Sequence, residues 1–211
     1  MSGNTFGAQL WSDGYMHAPM LPESVRVTRC PNCGITYWLA DAKEIGTLPE
    51  PTYANVEVKV KRKWWFGTRT ETRHMVQDTP LSHLPKLKHL DAEGMNEALA
   101  ELPHDDEPDR AAYLRTKLWW AFNDRFRSEE PTTATEVEVA MNHRNLVELL
   151  NLTEPEEDQA RLKSAAILLA LERFGDAEAI ATMVEDERLA PFKEKFIEAA
   201  KQRKSRVFRL R

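Results

Sequence analysis

Only two cysteines occur among the 211 residues of this chain, Cys30 and Cys33. Two cysteines so close together do not make the disulfide framework that stabilises small secreted domains. No apolar run approaches the roughly 20 residues that a membrane-spanning helix needs. The start of the chain, Met1 to Thr5, lacks the basic beginning and apolar middle of a signal peptide. We therefore expect a cytoplasmic protein with no membrane partner.

The sequence motifs of several common enzyme classes are also missing. The chain contains no glycine-rich phosphate loop, no Gly-x-Ser-x-Gly elbow and no His-Glu-x-x-His motif. Paired carboxylates such as Asp105 and Asp106 lie in a polar break between apolar segments, where such side chains are usually solvated. We therefore expect a protein that binds and does not catalyse.

The composition is that of a globular protein, and its charge is unevenly spread. Hydrophobic residues make up 42% and charged residues 30% of the chain, and the formal net charge is -5. Two stretches are nevertheless basic, from Lys59 to Arg73 and from Lys201 to Arg211. The overall negative charge disfavours nucleic acid as the default partner, although each basic stretch keeps that alternative open.

The two cysteines stand in a Cys-x-x-Cys-Gly motif, which has the spacing of a zinc knuckle. The two thiolates would lie on a tight turn, and Gly34 would allow the backbone to fold back. Val25 and Val27 predict a strand before the turn, and Tyr37 with Trp38 predicts a returning strand. Strand, turn and strand form one half of a zinc ribbon.

A structural zinc ion needs four ligands, so two more are required. His17 and His74 are the preferred candidates, because each is expected in a hairpin near the knuckle. The remaining candidates are His83, His89 and, as an oxygen ligand, Asp13. Three alternatives stay open: a knuckle that folds without metal, an ion shared by two chains through four cysteines, and a redox pair. We disfavour the redox pair because the motif does not open a helix.

Hydrophobic periodicity divides the chain into two regions. Alternating patterns predict a small, mostly antiparallel sheet between about residues 8 and 78, including a hairpin around Asp13 and Gly14. They also predict a strand that contains Val56, Val58 and Val60 and a second strand from Thr68 to Val76. Helical patterns follow, with five to seven helices, and Asp91 is the expected N-cap of the first of them. The predicted fold class is α+β, with a zinc-ribbon-like domain over residues 1–80 and a helical domain over residues 81–211.

Two segments resemble known families. Residues 168–180, Leu-Leu-Ala-Leu-Glu-Arg-Phe-Gly-Asp-Ala-Glu-Ala-Ile, resemble the centre of a tetratricopeptide repeat, which implies a helical hairpin near residues 159–186 broken at Gly175 and Asp176. A second copy at the expected period is missing. The N-terminal part, from Trp11-Ser12-Asp13-Gly14 to the cysteine motif, resembles the start of bacterial proteins that join a zinc-ribbon-like head to a helical body. That resemblance implies an architecture and no activity.

These observations predict a non-catalytic protein that binds another protein, with structural zinc as its candidate cofactor. One alternative is a nucleic-acid-associated protein. It would use aromatic and basic side chains together, as single-strand binders do; the candidates are Lys61, Arg62, Lys63, Trp64 and Trp65, with the basic C-terminal tail. We prefer to interpret these lysines as protection of a sheet edge. Another alternative is an immunity or antitoxin-type inhibitor of a partner enzyme.

Overall fold

The computed structural model describes residues 7–21, 23–46, 53–61, 68–76, 84–102, 107–128 and 131–211, with only the backbone described for 53–61 and 68–76. Six α-helices and three two-stranded antiparallel sheets occur in these ranges. The α+β class and the mostly helical body are thus confirmed. The three sheets are separate hairpins, and not the single sheet expected between residues 8 and 78.

The chain divides into two compact units. The helical unit comprises Met1–Ser24 and Leu90–Arg211, and the strand unit comprises Val25–His89. This division differs from the expected one at residue 80, because the N-terminal hairpin belongs with the helices. The reason is a pairing between the two ends of the chain, which local sequence patterns do not reveal.

The N-terminal hairpin consists of β1 (Gln9–Leu10) and β2 (Met16–His17). The amide of Gly14 donates to the carbonyl of Trp11 over 3.0 Å, and the amide of Trp11 donates to the carbonyl of Tyr15 over 2.9 Å. Gly14 has a φ of +79°, which a residue with a Cβ adopts only with strain. The hairpin predicted around Asp13 and Gly14 is therefore confirmed, with glycine where a left-handed residue is needed.

The C-terminal segment pairs with this hairpin. Trp11 forms an antiparallel bridge with Arg209, and the amide of Leu210 donates to the carbonyl of Leu10 over 2.8 Å. Leu210 is buried, and the ring of Phe208 packs edge-on against that of Phe196 with centroids 5.7 Å apart. The basic tail is therefore a structural part of the helical unit as well as a group of positive charges.

The first three helices are α1 (Ala92–Glu101), α2 (Pro108–Arg127) and α3 (Glu136–Asn151). The Asp91 carboxylate caps α1 by accepting from the amide of Gly94 over 2.8 Å, as the sequence predicts. Pro108 occupies the first turn of α2, where its missing N–H costs nothing. Thr135 and Glu138 form a reciprocal capping box at the start of α3.

The last three helices are α4 (Asp158–Ala170), α5 (Phe174–Thr182) and α6 (Ala190–Lys201). The predicted break at Gly175 and Asp176 is wrong, since both residues lie in the first turn of α5. The chain instead turns at Glu172, whose φ of +60° closes α4 in a Schellman motif. Two helices do occupy residues 159–186, but a tetratricopeptide-like identity stays a prediction.

The core of the helical unit lies where α4 contacts the surrounding helices. Every residue from Ser164 to Leu169 is buried, which gives α4 apolar contacts on all sides. Trp119 from α2 and Phe196 from α6 supply the largest buried side chains, each only 2% exposed. Alanines on α5 and α6, including Ala177 and Ala199, allow these helices to approach closely.

The strand unit contains β3 (Val27–Arg29), β4 (Thr36–Trp38), β5 (Tyr53–Lys61) and β6 (Thr68–Val76). β3 pairs with β4, and β5 pairs with β6. All four strands are in the predicted places. A 3-10 turn, Leu39–Asp41, follows β4.

Candidate functional site

The cysteine motif forms the turn between β3 and β4. The amide of Cys30 donates to the carbonyl of Ile35 over 2.9 Å, and the amide of Gly34 donates to the carbonyl of Cys30 over 2.9 Å. Gly34 has a φ of +75°, so it provides the reversal expected of it. Both thiols are free; Cys33 is exposed and Cys30 is half-buried.

Hydrogen bonds within this turn favour the thiolate form of Cys30. The amide of Cys33 contributes most, followed by the amide of Asn32 and the thiol of Cys33, and together they lower the pKa of Cys30. A thiolate stabilised by backbone N–H groups is both a better metal ligand and a better nucleophile than an ordinary thiol.

The two histidines predicted to complete a metal site belong to different units. His17 lies on β2 in the helical unit, whereas His74 lies on β6 in the same unit as the cysteines. Of the residues whose side chains the structure describes, no three or more His, Cys, Asp or Glu residues are grouped so as to hold a metal ion. The side chain of His74 is outside that set, so its part in a site stays a prediction.

The residues of the nucleic-acid alternative are Lys61 and the residues that follow it in the sequence before β6 begins. Lys61 is the last residue of β5 and pairs with Thr68 in the register. The others, Arg62, Lys63, Trp64 and Trp65, lie outside the described residues. The antiparallel pairing of β5 and β6 on either side of this stretch confirms the two predicted strands. Binding of nucleic acid stays a prediction.

A groove lies between α1, α2 and α3 in the helical unit, with a volume of about 180 Å³. Its lining includes Leu118 and Phe122 from α2 and Met141 from α3, with Asn96 on the α1 side. The Met141 side chain is 56% exposed, and Val137, one turn earlier on α3, is 68% exposed. This combination of an open groove and adjoining exposed apolar side chains was not predicted from the sequence.

An ion pair holds one wall of this groove in place. Arg125 donates to both carboxylate oxygens of Glu138, over 2.8 and 3.2 Å, and its guanidinium lies 4.7 Å from the Phe122 ring centroid. These bonds, with those from Thr135, lower the pKa of Glu138 to about 2. The ion pair between Arg125 and Glu138 therefore stays intact throughout the physiological pH range, and this wall of the groove keeps its geometry.

Two of the three helices beside the groove, α1 and α3, are acidic, whereas α2 carries five basic and two acidic residues and has a formal charge of +3. α1 carries three glutamates and no lysine or arginine, which gives it a formal charge of -3. α3 carries three glutamates and one arginine, which gives it -2 when histidine is counted as neutral. Glu93 and Glu136 are both exposed, so this charge faces solvent.

A second cluster that the sequence did not predict surrounds the carboxylate of Asp13. The side chains of Asp13 and Arg127 are only 1% and 7% exposed, and they form an ion pair. Asn123 also donates to the carboxylate over 2.8 Å, and the amide of Tyr15 donates over 3.2 Å. Burial raises the pKa of Asp13, and Arg127 opposes that effect. The cluster ties the N-terminal hairpin to α2, and both carboxylate oxygens of Asp13 accept hydrogen bonds.

None of the described helices combines the length and apolarity needed to cross a membrane. Comparisons of the chain with protein-family models, curated proteins and solved structures find no match.

Proposed function

We propose that this protein binds another protein, and that the groove between α1, α2 and α3 receives a segment of that partner. The observation that carries the proposal is the exposure of Val137 and Met141 beside the groove. Apolar side chains that remain in water next to a concave surface are typical of interaction sites. The cytoplasmic location expected from the sequence is part of this proposal.

The partner segment is expected to be amphipathic and basic. An apolar side chain would enter the groove between Phe122 and Met141, where it would be removed from water. Lysine or arginine side chains on either side of it would face the glutamates of α1 and α3. The charges of Arg125 and Glu138 would orient the partner segment as it approaches the groove. Because these two side chains already pair with each other, neither needs an ion-pair partner from that segment.

Two methionines provide a matched test of this surface. Met141 lines the groove, whereas Met183 follows α5 elsewhere on the same unit, and they are 56% and 57% exposed. The full chain would first be used to isolate partners from its native host. Binding of each purified partner to the wild type, Met141→Glu and Met183→Glu would then be measured by calorimetry.

The proposal predicts that Met141→Glu weakens binding at least tenfold and that Met183→Glu does not. Affinity for a basic partner segment should also fall as salt is added. A partner that binds both variants equally well would exclude the groove as its site. An inhibitor of a partner enzyme would give the same binding result, and an assay of that enzyme would identify it.

We also propose that the cysteine turn holds a structural zinc ion. The lowered pKa of Cys30 and the positive φ of Gly34 support this, since both suit a turn that presents two thiolates to a metal. His74, in the same unit, is the first candidate for a third ligand. The ion would stabilise the strand unit and would have no catalytic role.

A further inference from the structure

A larger pocket, of about 380 Å³, lies on the helical unit and shares no lining residue with the groove. Its walls come from the N-terminal hairpin, α2, α4, α6 and the C-terminal segment. Most of the lining is apolar, with Trp120, Leu162 and Phe192 among the larger side chains. Pockets for small organic ligands commonly have such a size and such walls.

Lys163 supplies a positive charge in this apolar setting. Its side-chain amine donates to the Thr116 hydroxyl over 3.2 Å, and that hydroxyl itself donates to the carbonyl of Ala112 over 2.7 Å. Among the described residues, no carboxylate forms an ion pair with Lys163. Burial lowers the pKa of Lys163, and no nearby negative charge opposes that effect.

The acidic side chain in the pocket lining, that of Asp13, does not compensate this charge. Asp13 lines the same pocket, but its carboxylate is paired with Arg127 and accepts from Asn123. A partly buried ammonium group with one hydroxyl partner has two further N–H donors. An anion placed beside it would gain both hydrogen bonds and charge compensation.

We propose that this pocket binds a small organic monocarboxylate with an apolar body. A single lysine matches a single negative charge, and the leucine and aromatic walls match an aliphatic or aromatic body. Gln159 is exposed at the pocket and provides an amide for the second carboxylate oxygen. The proposal goes beyond protein binding and does not depend on it.

Octanoate and 3-phenylpropanoate, each compared with its neutral primary amide, are suitable probes. Binding to the full chain can be measured by calorimetry and by the change in tryptophan fluorescence, since Trp11 and Trp120 both line the pocket. The carboxylates should bind at least tenfold more tightly than the amides. Lys163→Met should abolish that preference while leaving binding of the amides in place, because the walls are unchanged.

Lys204→Met is the matched control, since it removes one positive charge from an exposed position outside the pocket. It should keep the full preference for carboxylates. Lys163→Gln offers a second neutral variant should Lys163→Met fold poorly. The proposal is overturned if neither carboxylate binds at millimolar concentration, if acid and amide bind equally, or if the neutral variants keep the preference.

Discussion

Removing Arg127 should leave the Asp13 carboxylate buried without its cation. The side chain of Asp13 is 1% exposed, so water cannot replace the guanidinium. Arg127→Met retains much of the apolar stem but loses the charge and the hydrogen bond to the carbonyl of Trp120. Breaking a buried ion pair in this way typically costs about 3–5 kcal/mol. We expect a loss of that size in the free energy of unfolding at pH 7.

Three further measurements separate the contribution of charge to stability from that of packing. Asp13→Asn should lower the free energy of unfolding by less than Arg127→Met does, because Arg127 still has Asp124 as an ion-pair partner at 2.5 Å. The double variant should be more stable than the sum of the single losses predicts, with a coupling of about 1–3 kcal/mol. Lowering the pH should reduce the difference in the free energy of unfolding between the wild type and Arg127→Met, because a protonated Asp13 no longer needs a cation.

Urea unfolding followed by far-ultraviolet circular dichroism suits this test, because the helices lie in the same unit as the ion pair. The four proteins would be compared at pH 7 and at successively lower pH values. A loss below about 1 kcal/mol for Arg127→Met would refute the reasoning. If the stability difference between the wild type and Arg127→Met does not depend on pH, the substitution has removed packing contacts only.

Four other changes have defined outcomes. Glu172→Gly should raise the free energy of unfolding by about 1 kcal/mol, measured as a higher urea midpoint, because glycine accepts the left-handed conformation without strain. Thr135→Ala should lower it by about 1 kcal/mol through loss of the cap on α3. Glu138, with a pKa of about 2, stabilises the fold above its ordinary pKa of 4.5, and this contribution should disappear as the pH falls toward 2; Glu138→Gln should flatten that part of the acid unfolding curve. Zinc analysis should find metal in the purified wild type and none in Cys30→Ser; a metal-free wild type from zinc-supplemented cells would contradict the proposed zinc site.

Local chemistry was sufficient to predict most of the secondary structure. The Asp13-Gly14 turn, the Asp91 cap and the knuckle glycine Gly34 each depend on neighbours a few residues away, and all three occur as expected. The end of α4 shows the limit of such reasoning. Glycine was the expected point of reversal, but the chain reverses at Glu172 in a Schellman motif, three residues before Gly175.

Features that depend on distant parts of the chain were not predictable. The bond between the amide of Phe208 and the hydroxyl of Ser12 joins residues 196 positions apart, and no local pattern indicates it. The same holds for the burial of Asp13 by Arg127. These contacts place the N-terminal hairpin in the helical unit and so move the domain boundary away from residue 80.

The candidate binding surfaces were only partly foreseeable. A helical body follows from periodicity, the expectation of a binding role follows from the missing catalytic motifs, and the cysteine turn follows from spacing. Which apolar residues of a helix remain in water depends on how α2 and α4 cover α3. That packing leaves Met141 and Val137 exposed while burying Leu146 and Leu149. The identity of the groove therefore required the structure.

Binding of an isolated protein partner to Met141→Glu and Met183→Glu tests the central claim most directly. The two substitutions add the same charge at equally exposed positions, and only one lies in the groove. If the groove is the binding site, affinity falls at least tenfold for Met141→Glu and stays at the wild-type value for Met183→Glu. Equal affinities for the two variants would contradict the account.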